Sequence, residues 1–195
     1  MFISITTPIY DCFQSVQESV LVRKLVYRYC KITVKIDTPK KLLVLYIFRI
    51  GNTRQILNEQ LLLDSYKNFT KQVTISKTSM MNMTFSEQVK LMSTIDIAFG
   101  VHGAGFVNCM FMQPKSGLIE FFAQCFHAYY YMYLTRKTTL FYDMVENNKK
   151  AKRIGYEKPS RDSKDANIYV DIPVAYEKME YMISCVRKGK YGSIK

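Results

Sequence analysis

Two arginines and a glycine-rich stretch are the residues of this chain whose types and spacing could hold phosphate groups. Arg49 and Arg54 follow an apolar run and stand five positions apart, and guanidinium groups bind phosphate oxygens through paired hydrogen bonds. Further along, glycines at 100, 103 and 105 let the backbone approach a ligand closely and leave amides unpaired at a helix start. Together these features predict a diphosphate site.

His102 and Glu120 add titratable groups to the same part of the chain. A buried or half-buried Glu120 can accept hydrogen bonds from ribose hydroxyls, so the whole set is typical of a nucleotide site. Plainer interpretations remain open, since a glycine turn can be only a tight connection and its spacing is not Gly-x-Gly-x-x-Gly. His102 can simply cap the loop, and His127 is interpreted as a packing residue. For Glu120 the plain interpretation is harder, because a carboxylate within Leu-Ile-Glu-Phe-Phe is costly to bury without a partner.

Alternating apolar and helical segments predict the framework that positions these residues. The run from Leu42 to Arg49 is apolar enough for a central parallel strand covered on both faces, and helical spacing follows from Arg54 to Asn68. The other predicted strands are Val73–Ser76, Ile95–Phe99, Gly117–Phe122, Thr139–Tyr142 and Asn167–Ile172. Further helices are predicted after a Thr84-x-x-Glu87 capping box, over His127–Leu134 and from Pro173.

This alternation predicts an α/β fold with a three-layer, Rossmann-like parallel sheet. In such a sheet, ligands bind beyond the carboxyl ends of the strands, which is where Arg49 and the glycine turn fall.

Residues 1–41 fit this fold less well: a helix with Val16, Val20, Leu21 and Leu25 on one face precedes an alternating strand at Ile32, Val34 and Ile36. We interpret 1–41 as a joining segment, a remnant of an interdomain region, and 42–195 as the ligand-binding domain. Residues 147–164 are polar and predict a surface loop.

Composition narrows the classes of function. The chain has 195 residues and a formal charge of +12, from 28 Lys and Arg against 16 Asp and Glu, which favours an anionic partner. The charge is spread evenly, with +6 over residues 1–122 and +6 over residues 123–195, so no single basic patch beyond the 149–164 loop indicates nucleic acid. The five cysteines include no Cys-x-x-Cys pair, which argues against a zinc site or a disulfide framework.

Nothing in the sequence predicts a membrane span or a secretory signal. The longest apolar run, Leu42–Phe48, has seven residues, whereas a span needs about 18. The first residues lack the basic and apolar regions of a signal peptide. We therefore expect either a cytosolic protein or a chain that is incomplete at its start.

Several motifs, taken in order, are more specific than any one of them. In chain order they are Leu-Tyr-Ile-Phe-Arg49, Arg54-Gln-Ile-Leu-Asn58-Glu59, Phe85-Ser-Glu-Gln88-Val, Ile95-Asp96-Ile, Gly100-Val-His102-Gly103-Ala104-Gly105-Phe106-Val-Asn108, Met-Phe-Met-Gln-Pro114 and Leu-Ile-Glu120-Phe-Phe. This series resembles glycosyltransferase family 61. The likeness is strongest from about Val44 to Phe122 and weaker from Asn167 to Val186. Family members often have Ser before the first Arg and Leu-Thr after the glycines, where this chain has Phe48 and Phe106-Val107.

The resemblance implies the donor-binding, C-terminal half of an inverting GT-B enzyme, usually without a bound metal or cofactor. The donor would be a uridine-diphosphate sugar such as UDP-N-acetylglucosamine or UDP-xylose, and the acceptor a protein or glycan hydroxyl, as in protein glycosylation. Carried over by residue, Arg49 and Arg54 would meet the phosphates, and His102, Gly103, Ala104 and Gly105 would line the diphosphate. Asn108 belongs to the same motif, and Glu120 would face the ribose.

The resemblance also implies an ER or Golgi lumen location, if an N-terminal signal or anchor is missing from the chain. Two alternatives stay open. One is a nucleic-acid-binding α/β module that uses basic and tyrosine side chains. The other is a catalytically dead remnant that only binds a nucleotide.

The sequence predicts that this chain alone does not transfer sugar, because only some forty residues precede the first strong strand and an acceptor lobe needs more. The general base is unassigned, and His102 is the candidate within the donor half, although its place beside glycines suits a phosphate or sugar contact. Incubation with labelled UDP-sugars and peptide or glycan acceptors checks this. Sustained turnover that His102→Ala abolishes would make His102 the catalytic residue and contradict the prediction.

Overall fold

The computed structural model describes residues 12–34, 40–123, 126, 128–146 and 165–191. Its strands are β1 (Leu42–Ile47), β2 (Val73–Thr78), β3 (Ile97–Val101), β4 (Gly117–Phe122) and β5 (Phe141–Glu146). Its α-helices are α1 (Val16–Tyr29), α2 (Glu59–Tyr66), α3 (Phe85–Thr94), α4 (Tyr130–Thr138) and α5 (Ile172–Tyr191). Two 3₁₀ helices span Lys67–Phe69 and Ala104–Phe111.

The five strands form one sheet in the order β2-β1-β3-β4-β5, and every neighbouring pair is parallel. The predicted parallel sheet is therefore confirmed, with the three most apolar strands, β1, β3 and β4, side by side at its centre. Alternate residues of β1 enter different cores: Val44 and Tyr46 pack on one face, and Leu45 and Ile47 on the other. This explains why the strand is apolar throughout.

Helices cover both faces of the sheet and give the predicted three layers. On one face, α2 and α5 bury residues such as Leu62 and Met182 against the strands. On the other face lie α1, α3, α4 and the 3₁₀ helix Ala104–Phe111. Helix α3 begins where the sequence predicts, because the side chains of Thr84 and Glu87 form the reciprocal capping box.

Glycine at position 100 lets β3 lie very close to β1. A Cβ atom built there would be 2.4 Å from the carbonyl oxygen of Ile47, and the φ angle of Gly100 is +156°. Both the space and the backbone conformation exclude a side chain. The close approach holds together the strand ends from which the candidate site residues emerge.

Several element boundaries differ from the sequence prediction. The helix predicted from Arg54 begins only at Glu59, because Arg54 has a left-handed backbone (φ 57°) and residues 55–57 bond to the chain near Ile168. The strand predicted over residues 95–99 lies at 97–101, so Gly100 is inside a strand and the turn is only His102–Gly103. Similarly, the later elements are shifted towards the C-terminus: α4 replaces the helix predicted over 127–134, and β5 the strand predicted over 139–142.

The strand predicted over Asn167–Ile172 is wrong, since these residues contribute a single bridge between Ile168 and Ile56 before α5 starts. In the first segment, residues 32–34 are not a strand either. Predictions for Ile36, His127 and the loop 147–164 lie outside the described residues. Within the described ranges, no helix has the length and apolar character needed to cross a membrane.

Helix α1 exists as predicted, but the buried face is a different one. Leu21 and Leu25 are more than half exposed, whereas Ser19 and Arg23 are buried. Each buried side chain donates a hydrogen bond to a backbone carbonyl, Ser19 to one in α4 (2.7 Å) and Arg23 to one just after the Ala104–Phe111 helix (2.8 Å). The buried face of the helix therefore combines these two polar bonds with the packing of Val22 and Val26 against the core.

We expect Gly100→Ala to lower the free energy of unfolding by about 1–3 kcal/mol more than Gly51→Ala, which is the matched control. Both glycines have a positive φ angle, but no atom lies within 4 Å of a Cβ at Gly51. The difference between the two variants therefore isolates the clash with Ile47. Urea denaturation followed by circular dichroism measures it, and equal losses would show that the close approach is unimportant.

Candidate functional site

The carboxyl ends of β1 and β3 form a crevice at one edge of the sheet. The chain leaves β1 towards α2 on one face and leaves β3 towards the Ala104–Phe111 helix on the other. In a 2-1-3-4-5 sheet this is the topological switch point, where open α/β folds bind ligands. Two residues that the sequence predicts for the site lie just beyond these strands: Arg49 after β1 and Gly103 after β3.

Two cavities meet at this crevice and share residues 47–50 and Val101 as lining. The smaller has a volume of about 270 Å³ and a charged lining that includes Arg49, Arg54, Glu59 and Lys77. The larger has a volume of about 650 Å³, is lined mostly by apolar side chains, and has the stretch from Gly103 to Asn108 as one wall. A ligand that crosses the crevice would therefore touch both cavities.

Arg49 and Arg54 come together in the smaller cavity. Arg54 is held in place: it donates to Asp165 Oδ1 from Nη2 (2.7 Å) and Nε (3.0 Å), and to the His102 carbonyl from Nη1 (3.4 Å). Arg49 has no hydrogen bond to any described residue. Partial desolvation and the nearby Arg54 charge lower the pKa of Arg49, and Asp165 opposes this change. Two like charges share the crevice, which favours an anion between them.

The glycine turn brings backbone amides to the wall of the larger cavity, which Arg49 also lines. A Cβ at Gly103 would lie 3.0 Å from Nη1 of Arg49, so the missing side chain leaves room for the guanidinium. After it, the 3₁₀ helix begins without a side-chain cap. The amides of Ala104 and Gly105 donate to no described residue, and such free amides at a helix start bind anions.

His102 is the centre of a buried polar chain behind the turn. Its Nδ1 lies 2.8 Å from Glu120 Oε1, and Tyr142 donates its hydroxyl to Glu120 Oε2 at 2.7 Å. The Glu120 side chain is 0% exposed and that of His102 is 12% exposed. Burial raises the pKa of Glu120, while the hydrogen bonds with His102 and Tyr142 act in the opposite direction.

Aromatic rings fix the plane of the His102 ring. Phe122 stacks on it with centroids 5.3 Å apart, Phe126 meets it edge-on at 5.4 Å, and Tyr131 lies at 5.4 Å. Tyr131 also donates its hydroxyl to the Gly103 carbonyl at 2.9 Å. With Nδ1 directed at Glu120, the Nε2 atom has no hydrogen-bond partner among the described residues.

Asn108 stabilises the glycine turn through hydrogen bonds made inside the protein. It is buried, and its amide donates to Gln88 Oε1 at 2.8 Å and to the Gly105 carbonyl at 3.4 Å. Because Gln88 itself is bonded to the loop before α3, Asn108 connects the glycine turn to that helix. Its amide group therefore supports the turn from behind.

The structure thus brings Arg49, Arg54 and the stretch Gly103–Gly105 together, and places His102 directly behind them. Glu120 does not reach the crevice surface, since both of its oxygens are bonded inside the protein. Sequence reasoning missed Glu59, Lys77 and Tyr142. Glu59 stands within a quoted motif, which was a usable signal, whereas nothing local to Tyr142 indicates its partner. No group of three potential metal-ligating His, Cys, Asp or Glu residues occurs in the described ranges.

Comparison with known proteins identifies a protein family and a relative to which this chain is similar. The family model for Glycosyltransferase 61 matches residues 5–119, more than half of the chain. The alpha-1,3-arabinosyltransferase XAT3 of Oryza sativa subsp. japonica is 29% identical over 89 residues, which are 46% of this chain. The chain matches only 15% of the length of that relative.

We predict that His102 carries its proton on Nδ1 and donates it to Glu120 Oε1, 2.8 Å away, because the Glu120 carboxyl group is also an acceptor towards Tyr142. The chain has two histidines, so ¹⁵N-labelled histidine with a His127→Asn variant for assignment gives the tautomer by NMR. Tyr142→Phe, which leaves the His102–Glu120 contact intact, should keep the Nδ1–H form. A neutral ring protonated on Nε2 would show instead that Glu120 is the proton donor.

Proposed function

The chain belongs to glycosyltransferase family 61, and from this premise we propose that its crevice binds a uridine-diphosphate sugar for transfer to a protein or glycan hydroxyl. The family match bears out the resemblance of the motifs. The three-layer parallel sheet is of the kind that forms the donor half of a GT-B enzyme, which is the role we propose for it. UDP-N-acetylglucosamine and UDP-xylose are the donors to test first.

The observation that carries the proposal is the convergence of two guanidinium groups and two free amides at the switch point. Arg54 is anchored by Asp165, Arg49 lies against Gly103, and the amides of Ala104 and Gly105, which donate to no described residue, follow Gly103 directly in the chain. This set provides positive charge and hydrogen-bond donors, and among the described residues no carboxylate forms an ion pair with Arg49. A diphosphate supplies that anion, and its oxygens suit guanidinium and amide donors alike.

The same donors would assist the reaction. When the acceptor oxygen attacks the anomeric carbon, the bond from that carbon to the phosphate oxygen breaks and negative charge develops on the leaving diphosphate. Arg49, Arg54 and the two amides are already in place to stabilise this charge, and preorganised donors of this kind contribute strongly to catalysis. The configuration at the carbon is inverted because attack and departure occur on opposite sides.

His102 is the residue of the described part of the chain that could receive the acceptor proton. Its Nδ1 is held by Glu120, so Nε2 is directed away from that carboxylate, as in other histidine bases that a carboxylate orients. Its position behind the glycine turn also suits a contact with the sugar or the phosphate. We propose the contact as its primary role, with the base supplied by the acceptor side of a longer protein.

We predict that UDP binds the purified chain, and that Arg49→Ala and Arg54→Ala each weaken binding by roughly 10- to 100-fold, the worth of a charged hydrogen bond. Isothermal titration calorimetry measures this. Arg28→Ala is the matched control, because Arg28 is an exposed arginine in α1. Absence of UDP binding to the wild type, or equal loss in the control, would contradict the proposal.

Gly103→Val should weaken UDP binding more than either arginine variant while leaving the fold intact. The backbone at Gly103 is extended (φ 178°), so valine can adopt it, but its Cβ would displace the Arg49 guanidinium and its methyl groups would occupy the anion space. Calorimetry and thermal unfolding of the same sample separate the two effects. Normal binding by a folded Gly103→Val protein would place the diphosphate elsewhere.

A further inference from the structure

We propose that Glu59, in the smaller cavity, binds the ribose hydroxyls of the nucleotide, a role that rests on the proposed donor binding. The family resemblance gives the ribose to Glu120. That carboxylate is fully buried and has His102 and Tyr142 as partners. The carboxylate that does face a cavity beside the arginines is Glu59.

Two contacts fix the Glu59 carboxylate at the wall of this cavity. Glu59 is the first residue of α2, and its Oε1 pairs with the ammonium group of Lys77. Its Oε2 accepts a hydrogen bond from the Tyr46 hydroxyl at 3.0 Å. Lys77 is itself held, because its nitrogen lies 4.8 Å from the ring centroid of Phe48 and 5.6 Å from that of Tyr46. The carboxylate is thus positioned before any ligand arrives.

Glu59 retains the capacity to bind a ligand. An ionised carboxylate offers about four acceptor positions, and Lys77 and Tyr46 occupy two of them. The side chain of Glu59 is 30% exposed, against 0% for Glu120. Two neighbouring hydroxyl groups could therefore donate to Glu59 without breaking either existing contact.

The distribution of charge decides which part of the nucleotide lies here. Arg49, which has no ion-pair partner among the described residues, gives one end of the cavity its positive charge. At the other end Lys77 is already paired with Glu59, so a phosphate is favoured beside Arg49. A carboxylate accepts hydrogen bonds and donates none, so its natural partner is a pair of hydroxyl donors, which ribose has at O2′ and O3′. A cavity of about 270 Å³ is at the small end for ligand pockets and suits the nucleoside end of the donor.

The test compares UDP with 2′-deoxy-UDP by calorimetry. We expect the wild type to bind UDP roughly 10- to 100-fold more tightly than the deoxy form, because a hydrogen bond to a charged group is lost. Glu59→Ala should bind both ligands equally. Asp64→Asn, on the same helix and bonded only to exposed neighbours, is the matched control and should keep the full preference.

Glu59→Gln keeps the shape of the side chain and should leave a reduced preference, which guards against a Glu59→Ala protein that folds poorly. If the wild type binds UDP but Glu59→Ala and Glu59→Gln retain its full preference for ribose, the role of Glu59 is overturned and donor binding stands. If Glu120→Gln alone removes the preference, the ribose belongs to Glu120. If the wild type binds neither nucleotide, the proposed function itself fails.

Discussion

The close contact between β3 and the carbonyl oxygen of Ile47, which only glycine at position 100 permits, fixes the distance across the crevice. Arg49 leaves β1 two residues after Ile47, and His102 leaves β3 two residues after Gly100. Because both segments start from strands that touch, the guanidinium group of Arg49 lies directly against the glycine turn. The anion binding that we propose for the crevice would therefore depend on backbone packing as much as on charge.

Two buried carboxylates connect structural elements at opposite ends of the strands, Glu120 near the carboxyl ends and Asp96 at the amino ends. Near the crevice, Glu120 connects β4 to the turn through His102. At the amino ends, Asp96 accepts the Leu43 amide at 2.9 Å and pairs with Lys190 of α5 at 2.8 Å. Burial lowers the pKa of Lys190, and Asp96 opposes this change. In each case a carboxylate that would be costly alone is bonded through both oxygens, so it orders the elements around it.

The sequence predicts the position of an element wherever residues that are close together in the chain determine it. The apolar runs predict β1, β3 and β4, and the Thr84 capping box predicts the start of α3. Parallel strand ends share one edge, which is why the convergence of Arg49 with the glycine turn could be anticipated. What could not be predicted depends on contacts between distant segments: the left-handed backbone of Arg54, the buried polar face of α1, and the pairing of Tyr142 with Glu120. None of these has a periodic or compositional signal.

The hydrogen bonds between the loop at residues 54–58 and the segment 165–170 before α5 affect the order in which the chain folds. Arg54 bonds to Asp165 across 111 residues of sequence, and Asn58 exchanges two hydrogen bonds with the backbone of Val170 across 112. Loops of this length close slowly compared with neighbouring strand pairs. Arg54 would therefore reach its final position only once residues 165–170 have packed against its loop, later than the pairing of strands that are close in sequence.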